Sequence, residues 1–466
     1  IQSKNIDPSN QRQIIDYQKT RCSRVLNVDI NEHGLRWGGD LQGKVPGPTK
    51  SPEQIKDWLR NHLGQGVSYD QELSSIPASS SVNVLFVNKG RMSTNSGYHI
   101  QFYANMASYQ GASVVVAVPK RDDNEQTMYD SFQVQTYDEV KNHGVFFPNG
   151  RGPDIVHAWT PRERVRIFCC SLAQKYTFKT IIHLEDNEEY LTEHTVGRPF
   201  NELTSTPLEE LDQLISKNRY HPIRGWDWLK QADGITVIIE TLQRFNPNNV
   251  PSMVLPAPVD ERLFYPRPIN YDLRQELAIP DDHLVLAYIG DVRPLKKQEA
   301  LELYKAVALL NEQGTPTTLI RTGQNYVSLG DYDSWYKEFE KNLGWVERVN
   351  VPEVLAAADI LVQPGWPGPF DDQRVPAKLP EYFAMGRPVI LPKANLGHAA
   401  EHGKDAYVLE QSDAEGIAAA LRKLWKDQEL KSQLAENAVD FYLDQLSDPV
   451  IRTDLFSYYN AISTQA

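Results

Sequence analysis

Gln363-Pro-Gly-Trp-Pro-Gly-Pro-Phe-Asp-Asp-Gln-Arg-Val-Pro-Ala-Lys-Leu-Pro-Glu-Tyr-Phe-Ala-Met-Gly-Arg-Pro-Val-Ile390 runs from one short apolar segment, residues 360–363, into another, residues 388–391. As one continuous helix, its Arg374, Lys378 and Glu381 would fall at i, i+4 and i+7 on one face. Pro376 and Pro380 exclude that upstream, because proline is tolerated in a first turn but not in a helix interior, so the helix is expected to start near Ala377 or Lys378. The free N–H groups of that first turn would then face an anion, with Arg374 in the approach loop. The plain alternative for Lys378 and Glu381 is an exposed i, i+3 ion pair of small energetic weight.

Outward from this stretch the chain alternates. Apolar runs at residues 284–289, 317–321, 360–363, 388–391 and 406–409 are separated by helical patterns at 298–313, 380–385 and 414–425. An earlier set at 82–87, 113–118, 154–157, 180–183 and 234–239 repeats the spacing. Short apolar strands alternating with helices predict parallel sheets covered on both faces. The expected fold class is therefore α/β, with two doubly wound, Rossmann-like domains facing a cleft. The expected divisions are residues 1–80 (a polar extension ending in the serine-rich stretch 74–81), 81–265, 266–430 and C-terminal helices over 431–466. Proline-rich residues 254–268 suit an interdomain crossover, and residues 201–228 read as a lid or surface insertion.

Composition narrows the function classes. The 466 residues carry 48 Lys plus Arg against 61 Asp plus Glu, a net charge of -13, with 41% hydrophobic and 23% charged residues. That balance describes an ordinary globular protein and argues against a whole-molecule footprint for nucleic acid or anionic membrane. Cys22, Cys169 and Cys170 cannot build a disulfide framework, which points to a reducing compartment. No apolar run approaches the roughly 18 residues of a membrane helix, and no basic-then-apolar N-terminal signal is visible, although a start at Ile1 leaves room for an earlier leader. The expected location is cytoplasmic, with peripheral membrane contact allowed.

Open parallel sheets bind ligands beyond the carboxyl ends of their strands, so the residues following each run carry the chemistry. After residues 82–87 comes Asn95-Ser96-Gly97 and a helix start, where a glycine lets backbone N–H groups approach a phosphate. After residues 284–289 comes Gly290-Asp291-Val292-Arg293-Pro294-Leu295-Lys296-Lys297. Three cations beside a glycine suit a diphosphate, and a solvated basic turn would carry the same pattern. Two acidic runs, Glu185-Asp186-Asn187-Glu188-Glu189 and Asp331-Tyr332-Asp333, imitate metal sites but read as solvated turns or helix N-termini. Arg162, Arg164 and Arg166 fit a charged helix face or a steering patch for an anionic acceptor.

Glu381-Tyr-Phe-Ala-Met-Gly386-Arg-Pro388-Val-Ile resembles the Glu-x-x-Ala-x-Gly-x-Pro-Val-Val signature of GT-B glycosyltransferases, family four in particular. Gly97-Tyr98-His99, Gly111 to Pro119, Pro153 to His157, Ala232 to Val237, Val259 to Pro266 and Ala358 to Pro364 follow in the order the family has, covering roughly residues 82–430. The resemblance implies a retaining transferase that moves a hexosyl group from a nucleotide-sugar donor to the hydroxyl of a glycan, lipid-linked, protein or small-molecule acceptor, with a role in cell-surface polysaccharide or glycan synthesis. No cofactor and no essential metal are implied. Glu381 matches the second glutamate of the family's Glu-x7-Glu element and would hold the donor ribose; the first falls at Arg374, leaving Asp371 or Asp372 to supply a carboxylate. Lys297 matches the phosphate lysine, and Arg293 substitutes for an arginine whose place Asp291 takes. His157 matches the histidine beside the donor sugar, and Gly323 and Val346 belong to loops whose backbone meets the nucleobase. The implied catalytic set is His157, Arg293, Lys297 and Glu381; the donor-binding set is Gly97, Gly290, Lys296, Gly323, Val346, Asp371, Asp372, Arg374 and Lys378. The departures at Asp291 and Arg374 also admit an inactive nucleotide-sugar-binding subunit, or an epimerase or phosphorylase on the same fold.

Overall fold

The computed structural model describes residues 82–122, 131–247, 250–330 and 338–464. The N-terminal extension with Cys22, and the Asp331–Asp333 run, lie outside the described residues.

Strands β1 (Asn83–Asn88), β2 (Ser113–Val118), β3 (Gln133–Thr136), β4 (Ile155–Trp159), β5 (Lys179–Leu184), β6 (Gly234–Val237) and β7 (Ser252–Val254) form one parallel sheet in the order 3-2-1-4-5-6-7. Strands β8 (Leu284–Tyr288), β9 (Thr317–Arg321), β10 (Glu340–Asn342), β11 (Ile360–Val362), β12 (Val389–Pro392) and β13 (Tyr407–Leu409) form a second, in the order 10-9-8-11-12-13. Central strands β1, β4, β8 and β11 are buried along their whole length. Helices on both faces leave no wet side, so a continuous Val/Ile/Leu run replaces the polar–apolar alternation of a half-exposed sheet. Strand order reverses between β1 and β4, where Phe86 faces His157, and between β8 and β11, where Leu286 faces Ile360. A doubly wound sheet opens its ligand crevice at such reversals.

Residues 201–228 hold three short helices, Phe200–Thr204, Leu208–Leu214 and Arg224–Lys230. The first two share a small apolar cluster of Leu203, Leu211 and Ile215. The helix Gln428–Gln445 packs on Lys378–Ala384, with the Phe383 and Phe441 rings 4.7 Å apart. The chain then returns to the first sheet. Ile451, Leu455, Tyr459 and Ile462 of helix Asp448–Thr464 join Val84, Phe86 and Tyr103 in one core, each burial worth roughly 1.5–3 kcal/mol. Among the described residues no helix is long and apolar enough to cross a membrane.

Candidate active site

Three strand ends of the second sheet meet through glycines. Gly290, Gly323 and Gly344 all have positive φ (108°, 86° and 63°), a region that costs other residues a Cβ clash. The Gly323 N–H donates to the Gly344 carbonyl at 2.6 Å. A Cβ on Gly323 would overlap the Gly290 carbonyl carbon and lie 2.8 Å from the Asp291 nitrogen, so two backbones touch here.

Cations converge on this contact. Arg321, fully buried, donates to the Gly290 carbonyl at 3.1 Å and the Tyr304 hydroxyl at 2.9 Å. Lys378 Nζ stands 4.0 Å from the centroid of the Tyr288 ring, close enough that a Cβ on Gly290 would meet it at 3.3 Å. Lys296 Nζ donates to both oxygens of Asp371 (2.5 and 2.7 Å) and to Glu299 (2.8 Å). Lys296 and Arg374 lie over the Phe370 ring at 5.3 and 4.9 Å. Burial, reinforced by Arg321 and Arg374, holds the Lys378 ammonium well below the ordinary lysine range. Burial likewise pushes Glu299 up to about 7, against the pull of Lys296.

Helix Lys378–Ala384 begins where the prolines require. Its Glu381 is buried, and Oε1 accepts from Arg348 at 2.6 Å. Burial raises this carboxyl and Arg348 pulls it back. The guanidinium carbon of Arg348 lies 3.8 Å from the ring centroid of Tyr98 on the first domain, so the two domains touch at the edge of the site. Asn187 Nδ2 donates across the cleft to the Pro369 carbonyl at 2.9 Å, Tyr190 stacks on Phe370 at 5.2 Å, and the Thr241 hydroxyl donates to the Asp372 carbonyl.

The first domain contributes a carboxylate that the sequence had hidden. Glu185 was expected in a solvated acidic turn; it is buried and accepts from Lys89 Nζ (2.9 Å), Ser96 Oγ (2.5 Å) and Trp159 Nε1 (2.6 Å), with His99 Nδ1 at 3.1 Å. Burial alone would raise it, but Lys89 and His99 outweigh burial and hold it well below the usual carboxylate range. Asn187 caps the next helix, Glu188–Val196, whose first turn carries Glu188 and Glu189. For these two the helix N-terminus reading fits.

Several expected site residues stand elsewhere. His157 is a core histidine: Nδ1 lies 2.8 Å from the Tyr459 hydroxyl and Nε2 2.9 Å from Thr236 Oγ1, leaving neither nitrogen for a sugar. The strand continues to Trp159, so position 157 is interior and not a strand end. Gly97 has its N–H taken by the Thr94 hydroxyl at 3.2 Å, and a Cβ there would overlap the Met92 carbonyl oxygen; close backbone packing explains that glycine. Arg293 lies on the rim, its side chain 64% exposed and 3.1 Å from Asp291. Lys297 opens helix Lys297–Glu312 with no ion pair to a described residue, whereas Lys296 sits among the converging charges. Val346 packs against the core of Leu273, Val285 and Ile320, while its neighbour Trp345 is 66% exposed. Asp371 faces Lys296. Asp372 shapes its own loop, accepting from the Gly368 N–H at 3.0 Å and lying 2.9 Å from His398 Nε2.

Residues 283–427 match the family model described as "Glycosyl transferases group 1". A D-inositol 3-phosphate glycosyltransferase from Stackebrandtia nassauensis is 28% identical over 217 residues, 44% of this chain and 47% of that protein, so the chain spans about half the length of the curated relative it matches. Among solved structures, sucrose-phosphate synthase from Thermosynechococcus elongatus superposes with TM-score 0.59 at 14% identity, covering 82% of this chain and 99% of the other. Anabaena Alr3699/HepE in complex with UDP gives 0.60 at 14%, covering 82% and 100%. The catalytic domain of starch synthase IV from Arabidopsis thaliana, bound to ADP and acarbose, gives 0.59 at 13%, covering 83% and 100%.

Proposed function

We propose that this chain, a GT-B glycosyltransferase with its group 1 domain at residues 283–427, transfers a hexosyl group from a nucleoside diphosphate sugar to an acceptor hydroxyl, with retention. The observation that carries the reading is the gathering of Arg321, Arg374 and Lys296 around Lys378 beside Gly290, at the end of β8 where the sheet order reverses towards β11. A leaving diphosphate gathers negative charge as its bond to the sugar breaks, and prearranged cations stabilise that charge more than the ground state. In this reading Lys296, Lys378 and Arg374 take the diphosphate, so no divalent metal enters the mechanism. Arg321 holds the glycine turn from behind. Glu381 accepts from the ribose hydroxyls, exchanging Arg348 for them, and Asp371 supplies the carboxylate that Arg374 displaces from the preceding motif. The departing diphosphate oxygen, held beside the sugar, helps take the acceptor proton on the same face.

The test is incubation with UDP-, GDP-, ADP- and dTDP-sugars, starting with UDP-glucose, which one structural neighbour binds. Slow release of nucleoside diphosphate, unchanged by EDTA, is expected. Interconversion of the sugars would point to an epimerase, and binding without turnover in the presence of acceptors would point to a subunit that has lost catalysis. Nucleotide binding should also take up protons. A diphosphate beside Lys378 and Glu299 raises both pKa values, so protons enter on binding and affinity falls as pH rises from the free-site pKa towards the bound-site value. Calorimetry of UDP binding near pH 7 in buffers of different ionisation heat reads this directly. A heat independent of buffer, or one of the opposite slope, would contradict the assignment.

A further inference from the structure

Between β11 and helix Lys378–Ala384 the chain runs Pro364-Gly-Trp-Pro-Gly-Pro-Phe370. Three prolines that donate no backbone hydrogen bond and two glycines that add freedom leave such a loop to be shaped by other groups. Asp372 closes it from within, its N–H donating to the Gly368 carbonyl at 2.9 Å and its carboxylate accepting from the Gly368 N–H at 3.0 Å. Further anchors come from the first domain. The Asn187 amide works at both ends: Oδ1 accepts from the Tyr190 N–H at 2.9 Å and caps helix Glu188–Val196, while Nδ2 donates to the Pro369 carbonyl at 2.9 Å. Thr241, in the turn Glu240–Phe245, donates its hydroxyl to the Asp372 carbonyl. Tyr190 stacks on Phe370, with centroids 5.2 Å apart and ring planes 22° from parallel. The same Phe370 ring has Lys296 Nζ at 5.3 Å and the Arg374 guanidinium carbon at 4.9 Å from its centroid, and Asp371, the next residue, holds Lys296 by both oxygens.

We infer that Asn187, Tyr190 and Thr241 are positioning residues: from the first domain they hold residues 369–374 so that Lys296 and Arg374 already stand in place when a diphosphate arrives. This role rests on the leaving-group reading above and needs no contact between the three side chains and the nucleotide. A loop that must be ordered on binding loses part of the diphosphate's interaction energy, and one fixed beforehand does not. A nucleoside monophosphate brings no second phosphate to the two cations, so it gains little from the fixed loop. Side chains that only packed the domains together would affect both nucleotides alike.

Calorimetry with the pairs UDP and UMP, GDP and GMP, and ADP and AMP tests this through the ratio of diphosphate to monophosphate affinity. In the pair that binds, the diphosphate should bind the wild type more tightly. Tyr190→Leu and Asn187→Ser should each lower the diphosphate's affinity by about fivefold and the monophosphate's by less than about twofold. Thr241→Val, close in shape, should shift the ratio the same way, and Tyr190→Phe, which keeps the stacked ring, should restore it. Serine caps a helix as asparagine does, so Asn187→Ser removes the Pro369 contact with the helix start intact. The assignment is overturned if any of the three disruptive variants leaves the ratio unchanged, if both nucleotides lose affinity equally, or if Tyr190→Phe behaves as Tyr190→Leu does. A wild type that binds none of these nucleotides would remove the leaving-group reading and the positioning role together, whereas a diphosphate preference that the variants leave intact removes the positioning role alone.

Discussion

Lys296→Ala is expected to lower nucleotide-sugar turnover by about 10²–10³-fold, the usual cost of removing one prearranged group that stabilises transition-state charge, while Lys297→Ala stays within about threefold. The two lysines are sequence neighbours, and the family pattern pointed to the second. Geometry selects the first: its ammonium is held between Asp371 and Glu299 with the side chain 15% exposed, whereas Lys297 is the opening residue of its helix and holds no ion pair with a described residue. Removing Lys296 also takes away the ammonium between the Asp371 and Glu299 carboxylates, so the Glu299 pKa would rise further and the loop carrying Asp371 would lose its anchor. The measurement is kcat/KM from a continuous nucleoside diphosphate assay, with a melting curve to separate lost chemistry from lost fold. A larger loss in the Lys297 variant would return the phosphate role to that residue.

The fold was legible because its central strands are apolar on both faces, which leaves an unmistakable run such as Val84-Leu85-Phe86-Val87. The edges were not. Strand β3, Gln-Val-Gln-Thr, and strand β10, Glu-Lys-Asn, lie at sheet margins where side chains reach solvent and no apolar run is required. The same distinction divides the site. Gly290, Lys296, Asp371, Arg374, Lys378 and Glu381, the residues proposed to face the donor, fall in two short segments, 290–296 and 371–381, and were nominated by motif and resemblance. The cluster on Glu185 could not be, because Lys89 follows β1, His99 lies within helix Asn95–Tyr109 and Trp159 ends β4, and only the folded chain shows that they meet. In sequence, Glu185 opens an acidic run like any solvated one. His157 failed for a local reason that was visible in retrospect: Ala158 and Trp159 prolong the apolar run, so the strand end is two residues later.

Gly323→Ala should destabilise the second domain by about 3–5 kcal/mol, among the largest single-residue effects, lowering its melting temperature by roughly 6–20 °C for a domain of this size. Two penalties act together. The residue sits at φ 86°, where a Cβ is strained, and that Cβ would occupy the space of the Gly290 carbonyl carbon and crowd the Asp291 nitrogen. The obstacle is backbone on the neighbouring strand end, so no rotamer change relieves it, and the strand ends must separate. Separation moves Gly290 away from Arg321, breaking the 3.1 Å bond that holds the turn beneath Lys378. Loss of UDP affinity should therefore accompany loss of stability in this variant. Gly368→Ala is the matched control, since a Cβ there meets nothing within 4 Å and the backbone is not in the left-handed region; it should melt within about 0.5 kcal/mol of the wild type. Equal melting of the two variants would mean that the glycine contact is not what holds the strand ends together, and the diphosphate cradle would need another basis.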